Sequence, residues 1–112
     1  MNIIEMQNLT DEEVIKIVTG GAEKLKNAVD TTVQTNAYLL YEDVNSKTGE
    51  VMKFLSLKSD GKFFTTNSPT VISSFERIKS TCEQLGVEFT KAAVTRGTSK
   101  NGREFLDIVI EF

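Results

Sequence analysis

Histidine and tryptophan are absent from this chain, and cysteine and proline occur once each in its 112 residues. Without histidine, the commonest general base and the commonest metal ligand are both missing. Cys82 alone closes no internal disulfide and no zinc site, which leaves packing and backbone pairing to hold the fold and points to a reducing compartment. No GxGxxG or GxxxxGK[ST] occurs, so the loops that cradle phosphates in nucleotide enzymes are missing. Glu42 and Asp43 fall far short of an ion cage and read as a solvated pair. No apolar run approaches the ~18 residues of a membrane span, and MNIIEMQNLTDEEV has no basic start followed by an apolar stretch. Together these absences point to a cytoplasmic protein that is not an enzyme, needs no cofactor or metal and has no membrane partner.

An excess of positive charge is also missing. The net charge is −3, which counts against nucleic acid because phosphate binding draws on clustered Lys and Arg. The imbalance is local, however. Residues 1–30 carry Glu5, Asp11, Glu12, Glu13, Glu23 and Asp30 against Lys16, Lys24 and Lys26, which accounts for all of it. Residues 31–112 are neutral, and the stretch from Phe89 to Arg103 holds Lys91, Arg96, Lys100 and Arg103 with no acid.

What is present is a short helical front followed by strands. Thr10-Asp11-Glu12-Glu13 reads as a capping box, with Val14, Ile15, Ile17 and Val18 as the apolar side of a helix that Gly20-Gly21 ends. Ala22 to Val29 adds a further turn or two, so residues 1–30 form a helical extension of the domain at 31–112. From Thr31 onward, threonine, valine, tyrosine and phenylalanine in short runs between turn residues predict antiparallel strands at 31–41, 51–58 and 62–66. Ser68-Pro69 starts a helix that ends at Gly86, with Val71, Phe75, Ile78, Cys82 and Leu85 on its core side. Strands at 87–95 and 103–112 follow, joined by a hairpin with an Asn-Gly turn, and Phe112 is assigned to the core with Phe75. Three strands, a helix and two strands is the order of the five-stranded oligonucleotide-binding Greek-key barrel, although a half-open sheet with one helix would have the same pattern.

Such a barrel binds single strands across strands two and three and between its two long hairpin loops. The candidate phosphate contacts are therefore Lys47 on the first loop, Lys53, Lys58 and Lys62 on strands two and three, and Arg96, Lys100 and Arg103 on the second loop. The candidate stacking rings are Tyr38, Tyr41, Phe54, Phe63, Phe64 and Phe105. Phe54 alternates with Leu55 and shares a face with Ser56 and Lys58; Phe63 and Phe64 point to opposite faces, as do Tyr38 and Tyr41. For any one of these rings, burial in the core is the competing assignment.

Thr19-Gly20-Gly21-Ala22-Glu23-Lys24-Leu25, Thr48-Gly49-Glu50, Asp60-Gly61-Lys62-Phe63-Phe64-Thr65-Thr66-Asn67-Ser68 and Thr98-Ser99-Lys100-Asn101-Gly102-Arg103 resemble segments of the small single-stranded DNA-binding proteins of phages that infect Gram-positive bacteria. The resemblance spans roughly residues 18–112. It implies a barrel that coats displaced strands in phage DNA replication or recombination in the host cytoplasm, with no cofactor. The partners it implies are single-stranded DNA, phage or host replication and recombination proteins, and a second copy in a homodimer. The chain departs from the better-known bacterial proteins of this function in ending on the strand 108–112 where they carry an acidic tail, which argues against tail-mediated recruitment. The competing assignment is a phage-encoded interaction module or inhibitor that docks on a host enzyme through the acidic front helix.

Overall fold

One β-rich run, from Thr32 to Val44, belongs to two sheets and ties the molecule together. The computed structural model describes residues 1–112 as β1 (Asn2–Gln7), α1 (Asp11–Val18), β2 (Glu23–Lys24), β3 (Thr32–Gln34), β4 (Tyr38–Val44), β5 (Val51–Ser59), β6 (Lys62–Thr66), α2 (Pro69–Leu85), β7 (Lys91–Thr98) and β8 (Glu104–Glu111). A 3-10 turn, Leu25–Ala28, lies between β2 and β3. The fold is mainly β. Five strands pair in the order β1-β4-β5-β6-β2 and three in the order β3-β7-β8. The chain passes from one sheet to the other at Thr35–Ala37, where the Thr35 amide donates to the Thr90 carbonyl (2.9 Å) and the Lys58 amide to the Ala37 carbonyl (2.9 Å).

Strand alternation decides what each face buries. Tyr38 and Leu40 on β4 and Leu55 and Leu57 on β5 face the main core, where Val71, Ile72 and Phe75 of α2 meet Ala92, Val94 and Ile108 of the second sheet. Phe75 is fully buried at its centre, so Phe75→Ala would cost about 3–5 kcal/mol. The opposite face of the sheet presents Leu39 and Tyr41 of β4 and Phe63 of β6, which α1 covers with Val14 and Ile17.

The ends of both helices follow the local chemistry read from the sequence. Thr10 accepts from the Glu13 amide and Glu13 accepts from the Thr10 amide, completing the capping box. Ser68 caps α2 by accepting from the Val71 amide (3.3 Å), and Gly86 ends it at φ 68°.

The closed barrel is not formed. Its last seam would join β6 to β8, but the outer edge of β6 is taken by β2, in a parallel pairing of Glu23 with Phe64 and Lys24 with Thr65. The two sheets therefore stay separate and β8 keeps a free edge. Residues 1–30 supply that competing strand and also β1, which pairs antiparallel with β4 and bulges between Ile3 and Glu5. Three smaller expectations are corrected as well. Phe112 is 89% exposed because it lies past the last pair of β8, and Leu85 is 72% exposed at the last position of α2, beyond Cys82, the final buried residue of that helix. The strand expected at 87–95 starts only at Lys91, since Phe89 turns in to pack against Phe75 (ring centroids 5.6 Å apart).

Candidate nucleic-acid interface

A groove of about 880 Å3 runs across the outer face of β4, β5 and β6. Its floor is made by Tyr41, Met52, Phe54 and Thr65; one wall is the end of α1 with residues 20–26, and the other is the base of the β4–β5 loop at Asn45 and Ser46. Leu106 of β8 reaches the groove at the open seam between the sheets. Tyr41 and Phe54 are direct cross-strand partners, and their rings stack with centroids 5.2 Å apart and planes 19° from parallel. Burial, followed by the charge of Asp43, pushes the Tyr41 phenol above its ordinary pKa.

The β4–β5 loop is shaped by Asn45, whose side-chain oxygen accepts from the amides of Lys47 (2.8 Å) and Thr48 (3.4 Å), while its carbonyl accepts from Gly49 (2.8 Å). Lys47, in this turn, is exposed and follows Ser46 of the groove wall in sequence. On the opposite wall, Lys24 and Lys26 stand beside Glu23. None of Lys24, Lys26, Lys47, Lys62, Arg96, Lys100 and Arg103 takes part in an ion pair.

Of the sequence-derived candidates, the groove gathers Phe54, which is half-buried, and Tyr41, which is 6% exposed and packs against α1. Lys58 and Phe63 lie on the same face but under α1, with Lys58 bound to Glu13 (2.6 Å) and the Phe63 ring beneath the Lys16 ammonium (5.6 Å). Tyr38, Lys53 and Phe64 occupy the opposite face. Tyr38 is sealed in the main core with its hydroxyl donating to Glu5 (2.7 Å), Phe64 packs on that core, and Lys53 pairs with Glu76 of α2 (2.9 Å). Lys62 is exposed at the β5–β6 turn. Arg96, Lys100 and Arg103 are exposed on the β7–β8 hairpin, where the Phe105 ring lies across Gly97 and is 39% exposed. That hairpin meets the groove only through Leu106.

Across this same chain, a family model described as phage single-stranded DNA-binding protein matches residues 4–111. The chain belongs to that family. No curated protein and no solved structure matches it. Membership makes single-stranded DNA the ligand the groove is to be judged against. In this family member, the sequence pattern missed Lys24, Lys26, Asn45, Met52, Thr65, Thr66 and Asn67, all of which line the groove. No local signal marks Lys24 and Lys26, since their place depends on β2 pairing with a strand some forty residues downstream. Met52 and Thr65 were within reach, because each has the alternation that puts Phe54 on this face.

Proposed function

We propose that this protein binds single-stranded DNA without sequence preference, by stacking a base on the half-buried Phe54 ring, which the buried Tyr41 ring backs, while lysines on either side of the groove contact phosphate. The observation that carries this reading is the Phe54 ring, half-buried on the floor of the groove and held near-parallel against Tyr41, in a member of a single-stranded DNA-binding family. Every base has a π-face, so stacking is indifferent to sequence. Lys24 and Lys26 on one side and Lys47 on the other lie where a backbone crossing the rings would be held, and Arg96, Lys100 and Arg103 extend the positive surface on the second hairpin. Asn45, Thr66 and Asn67 supply uncharged hydrogen-bonding groups at the edges.

Element order supports the same reading. A first strand divided between two sheets, a meander through β5 and β6, α2, and the β7–β8 hairpin follow the order of the oligonucleotide-binding barrel, here opened along one seam. Its work is the coating of displaced strands in phage DNA replication or recombination inside the host cytoplasm, alongside the replication and recombination proteins that act on those strands. The test is an anisotropy titration of labelled oligothymidine and mixed-sequence oligonucleotides at two salt concentrations. Salt-sensitive binding of similar strength to each supports the reading, and no binding at low salt ends it.

A further inference from the structure

We propose that Lys58 and Phe63 form a second, latent DNA-binding subsite continuous with the groove, which α1 covers in the free protein and which a bound single strand uncovers. This rests on the groove being the DNA site.

The outer face of the five-stranded sheet does not stop where the groove does. Along β5, Phe54, Ser56 and Lys58 point the same way, and the strand rise of ~3.3 Å per residue puts Lys58 about 13 Å beyond Phe54. Across to β6, Ser56 faces Thr65 and Lys58 faces Phe63, with the Ser56 and Thr65 hydroxyls joined at 2.5 Å. The strip therefore begins with a ring pair, passes two hydroxyls and ends with a third ring beside a lysine. That repeats the combination of ring and cation from which the groove is built.

What α1 places on this end of the strip resembles a nucleotide in chemistry. The Glu13 carboxylate sits on Lys58 as an anion would, and the Lys16 side chain lies over the Phe63 ring where a base would stack. The hold is weak. Only Val14 and Ile17 of α1 are buried, Ile15 is 60% exposed, and an eight-residue helix has little stability of its own. On one flank Asn8 is tied to the sheet, its side chain donating to the Asn36 carbonyl (2.8 Å); on the other, Gly20 stands at φ 97° with nothing within 4 Å of where a Cβ would be, so displacement would turn on the Gly20 side. Displacement would also carry Asp11, Glu12 and Glu13 off the binding face, removing like charge from the path of the phosphates. That explains how a chain whose whole excess of negative charge lies in residues 1–30 can still accept DNA.

Hydrogen exchange of the full-length protein decides the matter. An oligothymidine of about 20 nucleotides is used, longer than the ~4–16 that one such domain covers. An ordinary ligand protects what it touches, whereas here the α1 amides from Val14 to Thr19 should exchange faster in the complex than in the free protein. Glu13→Gln keeps the capping box, since Gln serves at that position, and weakens only the hold on Lys58. It should tighten binding about two- to fivefold, the range expected for losing one partly exposed ion pair. Glu12→Gln removes the same charge from a neighbour with no cation partner and should fall well short of that gain. Unchanged or increased protection of α1 in a complex whose affinity depends on Phe54, or equal effects of the two Gln substitutions, overturns the latent subsite and leaves the groove standing. Loss of all binding by the unaltered protein would remove both, and it is seen in the anisotropy signal before exchange is measured.

Discussion

Replacing Phe54 gives the sharpest test of the groove, because one substitution separates stacking from charge. Stacking on an aromatic side chain contributes about 1–3 kcal/mol per base, or about 5- to 150-fold in affinity. Phe54 shares its ring surface with Tyr41, so a base can use only the face turned to the groove, and about tenfold is the reasonable centre of that range for Phe54→Ala. The substitution also removes half-buried apolar surface and an aromatic pair worth about 0.5–1.5 kcal/mol, a loss that a domain of ordinary stability survives. Phe54→Leu keeps most of the packing and loses only the ring, so it should match Phe54→Ala in binding while staying closer to the parent in stability. The decisive measurement is anisotropy with oligothymidine at several salt concentrations. A neutral substitution releases no counterions, so the plot of log K against log salt should drop in parallel, whereas Lys24→Ala or Lys26→Ala should flatten its slope by about 0.7. Unchanged affinity in Phe54→Leu, or a change of slope in place of a parallel drop, would refute stacking at this site.

The hairpin cations should behave differently from the rings: Arg96→Ala, Lys100→Ala and Arg103→Ala should each weaken binding to oligothymidine and mixed sequences alike, and a loss confined to one sequence would contradict their role as phosphate contacts. The cluster of Glu5, Tyr38 and Lys79 pins β1 to α2, and two pH effects follow from it. The Lys79 hydrogen bond, and after it that of Tyr38, hold the Glu5 carboxyl below its ordinary 4.5, so its stabilisation is complete above that pH and is lost as the pH falls through the lowered value. Glu5→Gln should flatten the acid limb of thermal melts. Burial, and then the Glu5 carboxylate, pushes Tyr38 up to about 12, so the folded state keeps this proton longer than the unfolded chain and stability should decline from about pH 10 upward. Tyr38→Phe should lessen that decline, the raised Lys79 ammonium keeping a share of it, while leaving DNA binding intact, since the ring is sealed from the groove. Burial lowers the Lys79 pKa, but hydrogen bonds to Glu5 and Tyr38 outweigh it and leave the ammonium raised; Lys79→Met should destabilise the fold by about 1 kcal/mol, read from denaturant midpoints.

Chain-local chemistry was open to reading in advance. Thr10 and Glu13 close a capping box within four residues, Ser68-Pro69 starts α2 with its own hydroxyl, and Gly86 ends that helix, because each interaction is complete inside a few positions of sequence. Alternation placed Phe54 on the same face as Ser56 and Lys58, and set Tyr41 and Phe63 opposite Tyr38 and Phe64, because the strand period is two. The family resemblance rested on short turn motifs and agrees with the match over residues 4–111. Which of the two faces would be open was not legible. The same alternation describes a ring facing α2, such as Tyr38, and a ring facing the groove, such as Tyr41, since only distant segments decide what lies above each.

Tertiary pairing settled the remainder. β1 hides behind a bulge that breaks its alternation, and β2 is two residues long, too short for any pattern, yet it occupies the β6 edge and keeps the two sheets from closing. Likewise, nothing near Lys58 or Phe63 indicates that Glu13 and Lys16 of a distant helix cover them. Sequence alone determined the helix ends, the turns and the period of each strand, all of them short-range effects of hydrogen bonding and backbone sterics. The three-dimensional structure decided which edges pair, which rings meet and which cations stay free, because those depend on competition among segments far apart in the chain.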